Sequence, residues 1–276
     1  MTTNYFYKNT KSKFLEVSGQ DSVSFIQNLI TNDINKCLEN HFLYSCLLTP
    51  QGKFFADFFI FKNKEKFVFE VHDNFYEDFL KKLNMYKLRS NVNIEENKKF
   101  FSFIVFGEPV INNHYEIINL DPRNSNIGKR LIQYDPLIKF NEEIIEIDEK
   151  KYHEILIQNK VPYSPFDLQE NKSLLLENNF DNINAISWDK GCFVGQEITA
   201  RMKYRALLKK QLYALEVISG NINIIDKIIE KEVNLWEVIS KANQYIFCML
   251  KIELVKEKSK KKSLLKINSF VTLKFL

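Results

Sequence analysis

One octapeptide concentrates the groups able to do chemistry: Lys190-Gly191-Cys192-Phe193-Val194-Gly195-Gln196-Glu197. Two glycines bracket a cysteine, a lysine stands two residues before it, and an amide and a carboxylate follow. The chain has only 7 glycines in 276 residues, where usual composition would give roughly nineteen. Those that remain therefore mark backbone that other residues fill badly. Ile198 and Met202 follow at helical spacing, so a short helix is predicted to start over Gly195 to Glu197. Its unpaired N–H groups and positive dipole end would lie near Cys192. With Lys190 they would lower the thiol pKa and favour the nucleophilic, metal-binding thiolate. The same residues also suit a small buried hydrophobe in a tight turn, and spacing alone leaves both readings open.

Other candidates are single residues. Strand alternation puts Asp57 on one face with Phe55, Phe59 and Phe61, and a carboxylate on an apolar face is costly unless paired or protonated. It either meets a ligand or bonds backbone inside the protein, unless the sheet buries its other face. Glu177 follows Leu174, Leu175 and Leu176 and reads as a site carboxylate or a helix-end one. Arg201 and Arg205, four apart, share a helical face and suit a ligand carboxylate, a phosphate or plain solvent. His41, His72, His114 and His153 are scattered, and Cys37, Cys46, Cys192 and Cys248 form no C-x-x-C pair. No protein-held metal and no disulfide framework are expected, and a reduced cytoplasmic setting fits.

The elements that must position these groups are mixed. A strand over Lys13 to Val17 leads through Ser18-Gly19-Gln20-Asp21 into a helix carrying Phe25, Ile26, Leu29 and Ile30. Strands over Tyr44 to Leu48, Lys53 to Phe61 and Lys66 to Val71 follow, the first two joined by Thr49-Pro50-Gln51-Gly52. A helix carries Phe75 to Leu83, a buried strand spans Phe100 to Phe106, and a helix spans Tyr152 to Asn159. After about residue 206 the runs become strand-like: Leu212 to Ile218, Tyr245 to Val255 and Leu264 to Leu276. An α+β body over 1–205 and a small β domain over 206–276 are expected. The Lys run Lys256, Lys258, Lys260, Lys261 and Lys262 reads as a solvated hairpin loop, with weak RNA contact as its functional alternative.

A net charge of +4 lacks the basic excess of a dedicated nucleic-acid binder. No run of about 18 apolar residues occurs, so no membrane partner is expected.

The octapeptide resembles the K-G-C-[FY]-x-G-Q-E signature of YgfZ-type proteins of the glycine-cleavage T-protein superfamily, and matches at every defined position. Further likenesses are Leu15 to Asp21 through Leu29 to Asp33, Leu48 to Lys53, Asp121-Pro122-Arg123 through Gly128-Lys129-Arg130, and Leu176 to Asp181. The chain departs from the family at Tyr204-Arg205-Ala206, where His-Arg-Gly is usual, and at Asn178, where a small residue is usual. The resemblance implies a T-protein-like body around a central folate cavity, followed by a small C-terminal β-barrel. It implies a tetrahydrofolate cofactor held by Asp57, Glu177 and Asn179, with Gly191, Gly195, Gln196, Glu197 and Arg201 around it. Cys192 and Lys190 would carry the chemistry of an accessory factor for iron–sulfur cluster assembly or repair, including support of iron–sulfur enzymes that modify tRNA. Its partners would be iron–sulfur client or assembly proteins, and a cluster would visit only transiently. Two alternatives stand beside it: a folate-dependent aminomethyltransferase, and a non-catalytic module that binds protein or RNA.

Overall fold

The structure, a computed structural model, describes residues 4–205, 208–220, 236–259, 264–266 and 271–276. Two strands open the chain, β1 (Tyr5–Asn9) and β2 (Ser12–Ser18), and the short turn between them sends each into a different sheet. Helix α1 (Ser22–Leu29) follows and buries Phe25, Ile26 and Leu29. The chain then runs through β3 (Leu43–Leu48), β4 (Phe54–Asn63) and β5 (Lys66–His72) into α2 (Asp73–Lys87) and β6 (Asn93–Asn97). These strands form one sheet in the order β3-β4-β5-β2-β6, antiparallel throughout.

Strand β4 is buried at every residue from Phe54 to Phe61. Both of its faces are covered, so alternation could not say which one is interior. Aromatic packing fills the layer: Phe58 lies against Phe69 and Phe79, and Phe54 against Phe75 and Phe180.

A second sheet has the order β10-β1-β7-β9-β8, built from β1, β7 (Phe101–Phe106), β8 (Ile117–Leu120), β9 (Lys129–Gln133) and β10 (Ile145–Ile147). Only β10 runs parallel to its neighbour β1. Helix α3 (Glu149–Gln158) and the short turn α4 (Ser164–Asp167) follow. A long stretch of turns then leads to α5 (Gln196–Tyr204).

Beyond residue 209 the described strands are β11 (Lys210–Ser219), β12 (Trp236–Ala242), β13 (Tyr245–Lys251), β14 (Leu264–Lys266) and β15 (Thr272–Phe275). They make one antiparallel sheet, order β12-β13-β11-β15-β14. Its own small core holds Leu215, Ile246, Cys248, Leu250 and Leu273, and its other face meets Ile157 of α3.

Two expectations need correction. The strand expected to reach Val255 ends at Lys251, and Ile252–Ser259 is a helix, α6. Lys256 and Lys258 therefore sit on a helix rather than in a hairpin loop, and Lys260, Lys261 and Lys262 lie outside the described residues. Strand β1 escapes the sequence pattern because Tyr5 to Asn9, three aromatics followed by two polar residues, does not alternate and carries no turn signal before it.

Candidate functional site

The octapeptide begins on a clamp. Lys190 is buried, and its Nζ donates to the carbonyls of Gln27, Ile30 and Asn32 at 2.6, 2.7 and 2.8 Å. These carbonyls lie at and just beyond the C-terminal end of α1, where a helix lacks internal donors and its dipole attracts a cation. Burial pulls the Lys190 pKa down to about 8, with nearby Asp33 opposing it, and an ammonium at neutral pH supplies one proton to each acceptor.

On the far side of Cys192, Phe193 is buried and Val194 donates its N–H to the Asn28 carbonyl at 3.1 Å. Gly195 has φ +79° and starts α5, where it presses against the β3–β4 turn. Between these anchors Cys192 is exposed, and nothing approaches within 4 Å of the place where a Cβ on Gly191 would stand. The buried-turn reading of Cys192 is excluded: the loop is fixed at both ends and displays its thiol. Helix α5 begins at Gln196, as the spacing predicts, so its N-terminus follows Cys192 closely in the chain.

The predicted cofactor residues do not converge. Glu197 and Arg201 are exposed on α5 and pair with each other at 2.5 Å. Gln196 donates its N–H to the Phe193 carbonyl and shapes the turn. Glu177 is held by Lys210 at 3.5 Å, while its carbonyl accepts from the Leu212 N–H at 2.7 Å. Asn179 donates to the Leu212 carbonyl at 2.7 Å and accepts from Gln211 Nε2 at 2.5 Å. Glu177 and Asn179 thus join the body to the C-terminal sheet.

Asp57 is interior. Its carboxylate accepts from Tyr44 Oη at 2.6 Å and from Ser164 Oγ at 2.5 Å. Beside it lies an ion network that the sequence reading noticed as a likeness but gave no role. Arg123 bonds Asp121 through Nε and Nη2 at 3.0 and 2.9 Å, and Tyr152 Oη at 3.0 Å. Arg130 reaches Glu70 at 2.7 Å and Asp121 at 3.3 Å, with its guanidinium 3.6 Å over the Phe59 ring. Burial alone would raise the Asp121 pKa, but the two guanidiniums and the Arg123 N–H together hold it below its ordinary value. The buried Tyr44 phenol is pushed well above its usual range by desolvation and by Asp57. The strictly placed residues of the D-P-R…G-x-R stretch were the available signal for this network.

Two hollows adjoin it. A small one of about 40 Å³ is lined by Asp57, His72, Arg123, Arg130, Tyr163 and Ser164. An open cleft of about 560 Å³ lies between body and C-terminal sheet, with Lys160, Asn179, Gln211, Leu212, Tyr213 and Phe275 among its walls. Arg123 lines both, and Cys192 lines neither.

The sequence reading also missed Trp188. Its ring takes Lys203 Nζ at 3.8 Å and packs edge to face with Tyr204, so α5 is secured to the turn that precedes the signature.

No family model matches the chain. The "Iron-sulfur cluster assembly factor IBA57 homolog, mitochondrial" of Mycosarcoma maydis is 26% identical over 222 residues, covering 73% of this chain and 54% of that protein. The "tRNA-modifying protein YgfZ" of Buchnera aphidicola subsp. Schizaphis graminum is 28% identical over 229 residues, covering 75% of this chain and 71% of that one. The chain spans about half the length of the fungal relatives it matches. Among solved structures, the aminomethyltransferase T of the Bartonella henselae glycine cleavage system superposes with a TM-score of 0.71 over 99% of this chain and 85% of that one, at 9% identity. That likeness is one of fold. Taken together, the complete signature, the relatives and the α+β architecture support a YgfZ-type protein with a fold like that of the glycine-cleavage T-protein.

Proposed function

We propose that the chain is an accessory factor for iron–sulfur cluster assembly that works through the thiol of Cys192 and holds a tetrahydrofolate in the cleft at Asn179. One observation carries the reading: of four cysteines, three are buried, and Cys192 alone is exposed, on a loop whose two ends are bonded to α1. A group that served packing would be inside; a group that meets a partner or a cluster must be outside and held still. The names of the relatives, a cluster assembly factor and a tRNA-modifying protein, support the same setting.

The fit of a folate separates the two hollows. At about 40 Å³ the smaller one has no room for a pterin, and both oxygens of Asp57 are already bonded. The open cleft, at about 560 Å³, has the size of small-molecule sites, and both apolar side chains and amides line it. Asn179, Asn182 and Gln211 would meet a pterin edge, and Lys160 a glutamate carboxylate. When bound, the folate supplies a carrier for one-carbon units. Asp57 then supports the cleft through Arg123's neighbourhood instead of touching the ligand.

The decisive test is complementation of a strain lacking its own such protein, with Cys192→Ala beside the wild-type chain. Loss of complementation by a folded variant is expected. Equal complementation would refute the thiol role and leave a binding module. Anaerobic calorimetry with tetrahydrofolate tests the second half: saturable binding at one site, weakened by Lys160→Glu, is expected, and no binding would remove the folate from the proposal.

A further inference from the structure

The chain passes between its first two sheets twice, once from β1 to β2 and once from β6 to β7. The two passages lie together and enclose a groove of about 410 Å³, independent of the signature loop. Its walls carry Lys8, Lys13 and Lys98, the aromatic rings of Phe14, Phe100 and Phe101, and Ser102. Lys98 is bonded to Glu96 at 2.7 Å, the groove's one carboxylate. Lys8 and Lys13 have no ion-pair partner among the described residues.

Each of these features points outward to a ligand. Three ammonium groups against one carboxylate leave a local excess of two positive charges, which matches a phosphate dianion. Phe14 and Phe100 lock each other edge to face at 5.6 Å, leaving half-buried Phe101 as a surface for a planar ring. The volume suits a ligand larger than phosphate alone.

We infer that this groove is a binding site for a small phosphorylated molecule with a planar ring, of the nucleoside monophosphate class. The phosphate sits between Lys8 and Lys13, and the base lies against Phe101.

The test is calorimetric titration of the full chain with adenosine monophosphate, adenosine and inorganic phosphate. One saturable site for the nucleotide is expected, at least tenfold tighter than for either part. The double variant Lys8→Glu, Lys13→Glu should abolish that binding with circular dichroism unchanged, because neither side chain makes a hydrogen bond or an ion pair within 4 Å among the described residues. Three outcomes overturn the inference: no nucleotide binding at millimolar concentration, binding untouched by the double charge reversal, or inorganic phosphate binding as tightly as the nucleotide.

Discussion

Gly52 and Gly195 stand back to back, each holding open the space that the other's backbone fills. A Cβ on Gly52 would lie 2.8 Å from the Gly195 carbonyl oxygen, and one on Gly195 would lie 2.8 Å from Leu48 Cβ and collide with the Thr49 carbonyl. Both have positive φ, +71° and +79°. The contact fastens the signature loop to the β3–β4 turn, so the position of Cys192 depends on a hairpin in another part of the chain.

Substitution within the signature should therefore split by position. Gly195→Ala should cost about 1–3 kcal/mol, since it adds both a clash and a strained left-handed residue. Gly191→Ala should be close to neutral, since nothing lies within 4 Å of its added methyl. Thermal unfolding of the two variants checks this, and equal losses would show that the loop is not held as described.

Lys190→Met should destabilise the fold by about 2–4 kcal/mol, because it leaves carbonyls at the end of α1 without their donor in a buried setting. Lys190→Arg should recover little, as a planar fork cannot reproduce three converging bonds. Urea unfolding midpoints give the comparison; a neutral Lys190→Met would place the lysine outside the clamp.

A thiol reagent should find one fast cysteine and three slow ones. Cys37 is 1% exposed with its pKa pushed up to about 12 by burial, and buried Cys46 is raised well above its ordinary value. Cys248 is likewise buried. Cys192→Ser should remove the fast phase and leave the slow ones, which then report opening of the fold.

Acid should weaken the protein through its buried ion network. Asp121 has a folded pKa below its ordinary 3.8, so the unfolded chain binds the proton first as pH falls. Its contribution to stability is present above about pH 4 and is lost as pH drops through the folded value. Denaturation midpoints measured from pH 6 to pH 2 should fall most steeply below pH 4. In the variant Asp121→Asn the two arginines lose their shared partner, and the protein should already be weak at pH 7.

Much of this was written in the sequence. Apolar periodicity located α1, α2 and α3 and the strands β2 to β5, because each buries one stripe or a whole run of side chains. The scarcity of glycine isolated the Cys192 segment, since only a few backbone positions here demand that residue. Strand β1 and helix α6 escaped because short elements with mixed faces owe their form to neighbours rather than to their own pattern.

The site itself was decided by tertiary structure. Residue types could not say that Cys192 is exposed while Lys190 is buried two positions earlier; that follows from where the end of α1 offers free carbonyls. Nor could alternation show that β4 is covered on both faces, which puts Asp57 inside a bonded network and away from the open cleft. Local sequence determines which groups are present and which segments bend. Their exposure, partners and mutual distances come from contacts between segments far apart in the chain, and only the folded sheets bring those together.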